Sequence, residues 1–283
     1  MKLMKYQQLE PERLNLAVSR PDVFIQQKID GIRAMLRIRS IDNKLNITML
    51  GGAGTPLKST TAKPTADLIT NWAKTVFKPN GTYDIAIDGE LIGDTYWAFD
   101  LVRSPKSNEH TPALRRYELL QAVIERLPNH PNFRILPAYT DAKQKLDIVD
   151  AIRSNGGEGI LIKSNHSPYQ WGERVRHSLK VKFTHTVDCI ILNRNTGGPD
   201  KQNATLGITN TNGNIDILGN CSMIGKPDAQ PGEVVEVKYL YVGAGGKLVQ
   251  PTLLRIREDK TPNECTIDQL SFVNKTVLQL ETA

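Results

Sequence analysis

Lys28-Ile29-Asp30-Gly31-Ile32-Arg33 is the stretch on which the reading of this chain turns. A lysine followed at fixed offsets by a carboxylate, a glycine and an arginine supplies an amine nucleophile, an acidic neighbour, a tight turn and a cation for phosphate. Covalent attack on a nucleotide needs that set. The amine works only when neutral. Its ordinary pKa lies near 10.4, so the site must provide cationic neighbours or desolvation. A strand ending in a glycine turn could spell the same letters, and the four fixed positions recur by chance in roughly one chain in a few hundred of this length. The surroundings therefore have to decide.

On the N-terminal side, Pro11 to Val18 reads as a short helix and Asp22 to Gln27 as a strand that delivers Lys28 at its end. On the C-terminal side, Arg33 to Arg39 alternates. Ala34, Leu36 and Ile38 share one face, and Arg33, Met35, Arg37 and Arg39 the other, which predicts a half-buried strand. Lys44 to Leu50 completes a hairpin with it. Gly51-Gly52-Ala53-Gly54 lacks the Gly-Lys-Ser/Thr ending of a phosphate loop and reads as a turn. Ala62 to Phe77, Ala113 to Leu127 and Ala142 to Ser154 carry apolar residues at helical spacing.

Between the helices lie strands whose polar residues need a reason. Asp84 to Leu91 places Asp88 and Glu90 on one face, and Tyr96 to Val102 contains Phe99 and Asp100. Carboxylates on core strands are costly unless they hold a cation or a hydrogen-bonded network. Gly156 to Lys163 delivers Glu158 onto an apolar strand, and Lys180 and Lys182 alternate onto one face, where a phosphate would relieve their repulsion. From His185 onward the pattern changes to about five short strands with Asn/Gly turns, the signature of a small barrel of OB type. Thr266 to Ala283 reads as a capping helix or a partly ordered tail.

The chain has 283 residues and a net charge of +6. Residues 1–184 hold 27 lysines and arginines against 19 acidic residues (+8), and the remainder 9 against 11 (−2). This asymmetry points to a polyanionic partner for the N-terminal part. Cys189, Cys221 and Cys265 are far apart and odd in number, which fits a reducing cytoplasm and argues against a structural zinc site. No stretch reads as a signal peptide or a membrane span.

Taken together, these segments resemble the covalent nucleotidyltransferase superfamily, and most closely its small viral or phage-type ATP-dependent DNA ligases. In the family's order, Lys28 to Arg33 looks like motif I, Asp88 to Leu91 motif III and Phe99-Asp100-Leu101 motif IIIa. Glu158 to Lys163 looks like motif IV, Leu179 to Lys182 motif V and Arg257-Glu258-Asp259-Lys260 motif VI. The resemblance implies an α+β protein: a nucleotidyltransferase (ATP-grasp-like ligase) domain with mostly antiparallel sheets over residues 1–184, then an all-β OB-fold domain over 185–283.

It also implies roles. Lys28 would attack the α-phosphate of ATP to give lysyl-AMP, with Gln27, Asp30 and Arg33 around the nucleotide. Phe99 would stack on adenine, Glu90 would hold the ribose or a metal-bound water, and Glu158 would position the catalytic Mg2+ (or Mn2+). Lys180 and Lys182 would neutralise the α-phosphate, while Arg257, Asp259 and Lys260 would act on the departing pyrophosphate. Arg33 and Arg176 would contact the phosphate of a nick in duplex DNA, with Tyr169 as an aromatic neighbour in the loop between Lys163 and Leu179. Where the family usually carries a further arginine, this chain has Leu50, so Arg37, Arg39 or Arg176 is left to supply that contact.

The early position of Lys28 implies no extra N-terminal DNA-binding domain. The short Asn193 to Asn203 segment implies no clamp loop, and the expected protein is a cytoplasmic monomer. An RNA ligase or an mRNA-capping guanylyltransferase shares most of these motifs and is the runner-up. A non-catalytic nick-binding module is the reading from another class, and it has no use for the lysines and Glu158 together.

Overall fold

In this computed structural model, which describes residues 2–42, 44–196, 202–243 and 245–280, the chain divides into two units. They are Met1–Val181 with Lys275–Ala283, and Lys182–Asn274. Unit 1 runs β1 (Lys5–Gln8), α1 (Leu14–Val18), β2 (Val23–Lys28), β3 (Ile32–Ile41), β4 (Lys44–Gly51), α2 (Lys63–Val76), β5 (Asp84–Ile92) and β6 (Thr95–Arg103). It continues with α3 (Ala113–Ile124), β7 (Phe133–Ile135), α4 (Ala142–Ser154), β8 (Gly159–Ser164) and β9 (Arg174–Lys182). One sheet has the order β1-β9-β8-β2 and the other β4-β3-β5-β6-β7. β2 with β8, β3 with β4, β3 with β5 and β5 with β6 pair antiparallel, whereas β1 with β9 and β6 with β7 are parallel.

Hydrophobic alternation explains the larger sheet. Ala34, Leu36 and Ile38 of β3 pack in one core with Ala66, Ile69 and Ala73 of α2 and Leu120 of α3. The opposite face of β3 is less open than its arginines suggest. Met35 is buried with Tyr6, Ala86, Leu161 and Val175, so a second core joins residues of both sheets. The half-buried strand of the sequence reading is therefore covered on both faces at its start, and Arg33 sits there.

Unit 2 contains β10 (His185–Thr196), β11 (Gln202–Thr209), β12 (Ile215–Ser222), β13 (Val234–Tyr239) and β14 (Thr252–Ile256). They close a barrel in the order β10-β11-β12-β14-β13, with β12 and β14 parallel and β10 pairing β13 to complete the ring. That is OB-fold order. Its core holds Val187, Ile191, Leu206, Val235, Val237 and Leu253, and the three cysteines are buried and unbridged.

Four local features differ from the sequence reading. β1 and β7 are strands that it did not contain. Arg176 lies on β9 rather than in a loop. After the short 3-10 turn Ile267–Gln269 the described residues, to Leu280, contain no further helix, and from Lys275 the chain groups with unit 1. The expected absence of a clamp loop falls partly on residues 197–201, which lie outside the described residues. No helix among the described residues is long and apolar enough to cross a membrane.

Candidate active site

β2 runs antiparallel to β8 with Lys28 opposite Gly159, so the residue preceding β8 arrives beside the lysine. Lys28 Nζ donates to Glu158 Oε2 at 2.5 Å, a short charge-assisted contact to a carboxylate that is 5% exposed. The glycine of the motif has a steric cause. A Cβ on Gly31 would stand 2.4 Å from the Leu91 carbonyl oxygen, because β5 passes against the turn. Gly89 is required for a similar reason, its Cβ position lying 2.5 Å from the Tyr96 ring.

β3 sets Arg33 opposite Glu90. The Arg33 guanidinium donates to both Asp88 oxygens at 3.2 and 2.6 Å and to Met4 O at 2.5 Å. Tyr169 OH donates to Asp88 Oδ2 at 2.7 Å, so the fully buried Asp88 carboxylate is satisfied. Asp100 is matched in the same way by Arg116, whose guanidinium is wholly buried and donates to it at 2.7 and 3.0 Å. The costly core carboxylates therefore belong to fork-shaped arginine pairs.

Lys28, Arg33, Glu90, Phe99, Leu136 and Lys180 line a cavity of about 220 Å³, together with Lys5 and Tyr6 of β1 and with Gln27, Ile29 and Leu161. Phe99, Ile29 and Leu136 form an apolar cluster at one part of the wall. Lys28, Arg33 and Lys180 bring three cations to the same cavity. An aromatic base with a phosphate tail matches such a lining. Desolvation pushes the Glu90 carboxyl up to about 8 against the opposing pull of Lys28 and Arg33.

Among the described residues no three His, Cys, Asp or Glu side chains form a metal cage of their own. Glu90 and Glu158 nonetheless fit magnesium, which takes one or two carboxylates and completes its shell with water and phosphate oxygens.

Several expected residues stand elsewhere. The Asp30 carboxylate pairs with Lys275 at 2.9 Å and lines a neighbouring cavity, not the one that holds Lys28. Gln27 lines the Lys28 cavity, but its amide donates to Thr276 O at 2.9 Å and accepts from Leu278 N at 2.8 Å. Tyr169 is buried in the Asp88 network, which removes it as a surface aromatic. Arg176 is exposed. Lys182 falls in unit 2, where its Nζ donates to Gln250 Oε1 at 2.9 Å. Arg257 and Lys260, also in unit 2, both grip Asp188, at 2.9 and 2.5 Å, and Arg257 holds Asp259 at 2.8 Å.

The sequence reading missed Tyr6 and Lys5, because β1 is a four-residue polar strand with no periodicity to betray it. It also gave no role to Gln26. That residue lies on the Lys28 side of β2, and its Oε1 is buried without a hydrogen-bond partner among the described residues.

Residues 95–182 match the ATP dependent DNA ligase domain. Over that segment the chain is similar to ATP-dependent DNA ligases. The matched ligase segment carries Phe99, Glu158, Lys180 and Lys182. A probable DNA ligase of Mycolicibacterium gilvum is 26% identical over 186 residues, covering 59% of this chain and 35% of that protein. The chain spans about a third or less of the length of the curated ligases it matches. Among solved structures, a Lig E DNA ligase described as binding DNA with a minimal scaffold superposes with a TM-score of 0.62 at 17% identity, covering 91% of this chain and 99% of the other. The ligase domain of M. tuberculosis LigD gives 0.52 at 16% identity, with 94% and 97% covered. At such identities these two likenesses establish the ligase fold.

Proposed function

We propose that this chain is an ATP-dependent DNA ligase that seals 5′-phosphate/3′-OH nicks in duplex DNA. The observation that carries the reading is Lys28 Nζ held 2.5 Å from Glu158 at a cavity with an apolar aromatic wall and further cations. In the first step Lys28 Nζ bonds to the α-phosphorus of ATP. The bond to the bridging oxygen breaks, pyrophosphate leaves, and the proton shed by the amine has Glu158 Oε2 beside it as acceptor. Arg33 enters already oriented by Asp88, so the charge it offers a phosphate costs no reorganisation. Phe99 offers its ring to the base. Glu90 and Glu158 would hold Mg2+ (or Mn2+), which when bound neutralises phosphate charge.

Transfer of AMP to the 5′-phosphate of a nick follows, and attack by the 3′-OH on that phosphate expels AMP. Arg33 and Arg176 are proposed as contacts of the nick phosphate. Lys180, Lys182, Arg257, Asp259 and Lys260 are proposed as groups of the adenylylation step. The protein is proposed to act as a monomer in the cytoplasm.

Incubation with labelled ATP or GTP and magnesium tests the reading, with label sought on the denatured chain. ATP should label the wild-type protein and leave Lys28→Ala unlabelled, while Lys28→Ala should still join nicks that already carry 5′-AMP. Sealing of an ordinary nick by Lys28→Ala at the wild-type rate would refute the assignment.

A further inference from the structure

The last described residues of the chain return to the unit that holds the cavity, and they meet it at several points. Lys275 Nζ lies 2.9 Å from Asp30 Oδ2. The Gln27 side chain, 4% exposed, donates to Thr276 O and accepts from Leu278 N, so an extended backbone satisfies both ends of one buried amide. Tyr139 OH accepts from Leu280 N at 3.2 Å. Val277 packs on the cluster of Ile29, Phe99 and Leu136.

The Gln27 and Val277 contacts fall on residues of the cavity wall. Gln27, Ile29, Phe99 and Leu136 all line the cavity, and no residue of 275–280 is among its lining. The segment therefore supports the wall without filling the space that the wall encloses. Its grip is largely through peptide groups, so it depends on the extended path of the backbone more than on which side chains occupy 276 and 278. Without it, the Gln27 amide would lose two hydrogen bonds in a buried place, and the Ile29–Phe99–Leu136 cluster would lose an apolar cover.

We propose that Lys275–Leu280 is a positioning strap of the nucleotide site, fixing Gln27 and backing the Phe99 wall so that the base stacks on a preformed surface. The proposal rests on the ligase reading above, since it presumes that a nucleotide occupies the cavity. The strap touches no reacting atom. Its effect should therefore appear in binding and not in the rate of the chemical step.

Calorimetric titration with ATP in a Lys28→Ala background measures binding without covalent capture. Three proteins are compared: the full chain, a chain ending at Asn274, and Leu278→Pro, which removes the N–H that Gln27 accepts while leaving the rest of the segment in the chain. Both altered chains should bind ATP about tenfold more weakly, the loss expected for an unsatisfied buried amide. With Lys28 restored, their self-adenylylation at saturating ATP should stay within about twofold of the full chain. ATP affinity that is unchanged or tighter in both would overturn the strap, as would a saturated rate that falls as far as the affinity. Should the full chain with Lys28 intact take no label from ATP, the ligase reading itself fails. Loss of the strap alone leaves ATP binding by the full chain intact.

Discussion

Lys163 shows what burial among aromatic rings demands of a single side chain. Its ammonium is buried, has no hydrogen-bond partner among the described residues, and lies 4.8 Å from the Phe99 ring centroid, with Tyr6 and Phe24 at 5.6 and 5.8 Å. Desolvation pushes its pKa down to about 8, while Asp100 and Asp88 resist and Arg116 and Arg33 add to the fall. In the unfolded chain the group titrates near its ordinary 10.5. Between about 8 and 10.5 the unfolded state binds more protons, so this group makes stability rise with pH across that window. Below about 8 both states are charged and the cost of burial, on the order of 3 kcal/mol, is fully present. Lys163→Met should therefore melt no lower than wild type at pH 7, and its stability curve should lose the rise between pH 8 and 10.5. A drop of several degrees at pH 7 would show that the cation–ring contacts outweigh desolvation.

At the scale of elements, β5 concentrates both structural and chemical demands. Asp88 accepts two bonds from Arg33 and one from Tyr169, and β5 also carries Glu90 and passes against Gly31. Breaking a buried pair leaves a charge without compensation, so Asp88→Ala should lose about 3–5 kcal/mol in urea denaturation. Tyr169→Phe, which removes one hydrogen bond, should lose about 1 kcal/mol. Similar losses for the two would mean that Arg33 finds another partner. Much of this was legible in the sequence. Alternation located β3, helical spacing located α2, α3 and α4, and the offsets from Lys28 to Lys180 located most of the cavity's charged groups. Illegible were the parts held by partners distant in the chain. β1 owes its place to parallel pairing with β9 some 170 residues later, and the strap owes its extended path to Gln27, 249 residues before Thr276. Val273, Thr276 and Val277 are β-branched, a local hint against the expected helix. The burial of Tyr169 was hidden because nothing local reveals that Asp88 needs a third donor.

On the scale of the whole molecule, the charge split separates two kinds of electrostatics that salt should tell apart. Residues 1–184 carry a net +8 and the remainder −2, so a duplex held by this chain is expected to be held mainly by the former. Six or more phosphate contacts release enough counterions that raising salt from about 50 to about 200 mM should cost roughly 10³–10⁵ in nick affinity. The groups proposed for the first step are differently placed. Glu158 is 5% exposed, the side chain of Lys28 is 21% exposed, and their 2.5 Å contact is too short for mobile ions to enter. Screening acts weakly over such distances. In a salt titration at saturating ATP, sealing at limiting DNA should therefore collapse while label continues to accumulate on Lys28. A parallel fall of both activities would mean that DNA is held by enclosed contacts and not by the open basic surface, and the net charge of the N-terminal part would then have another purpose.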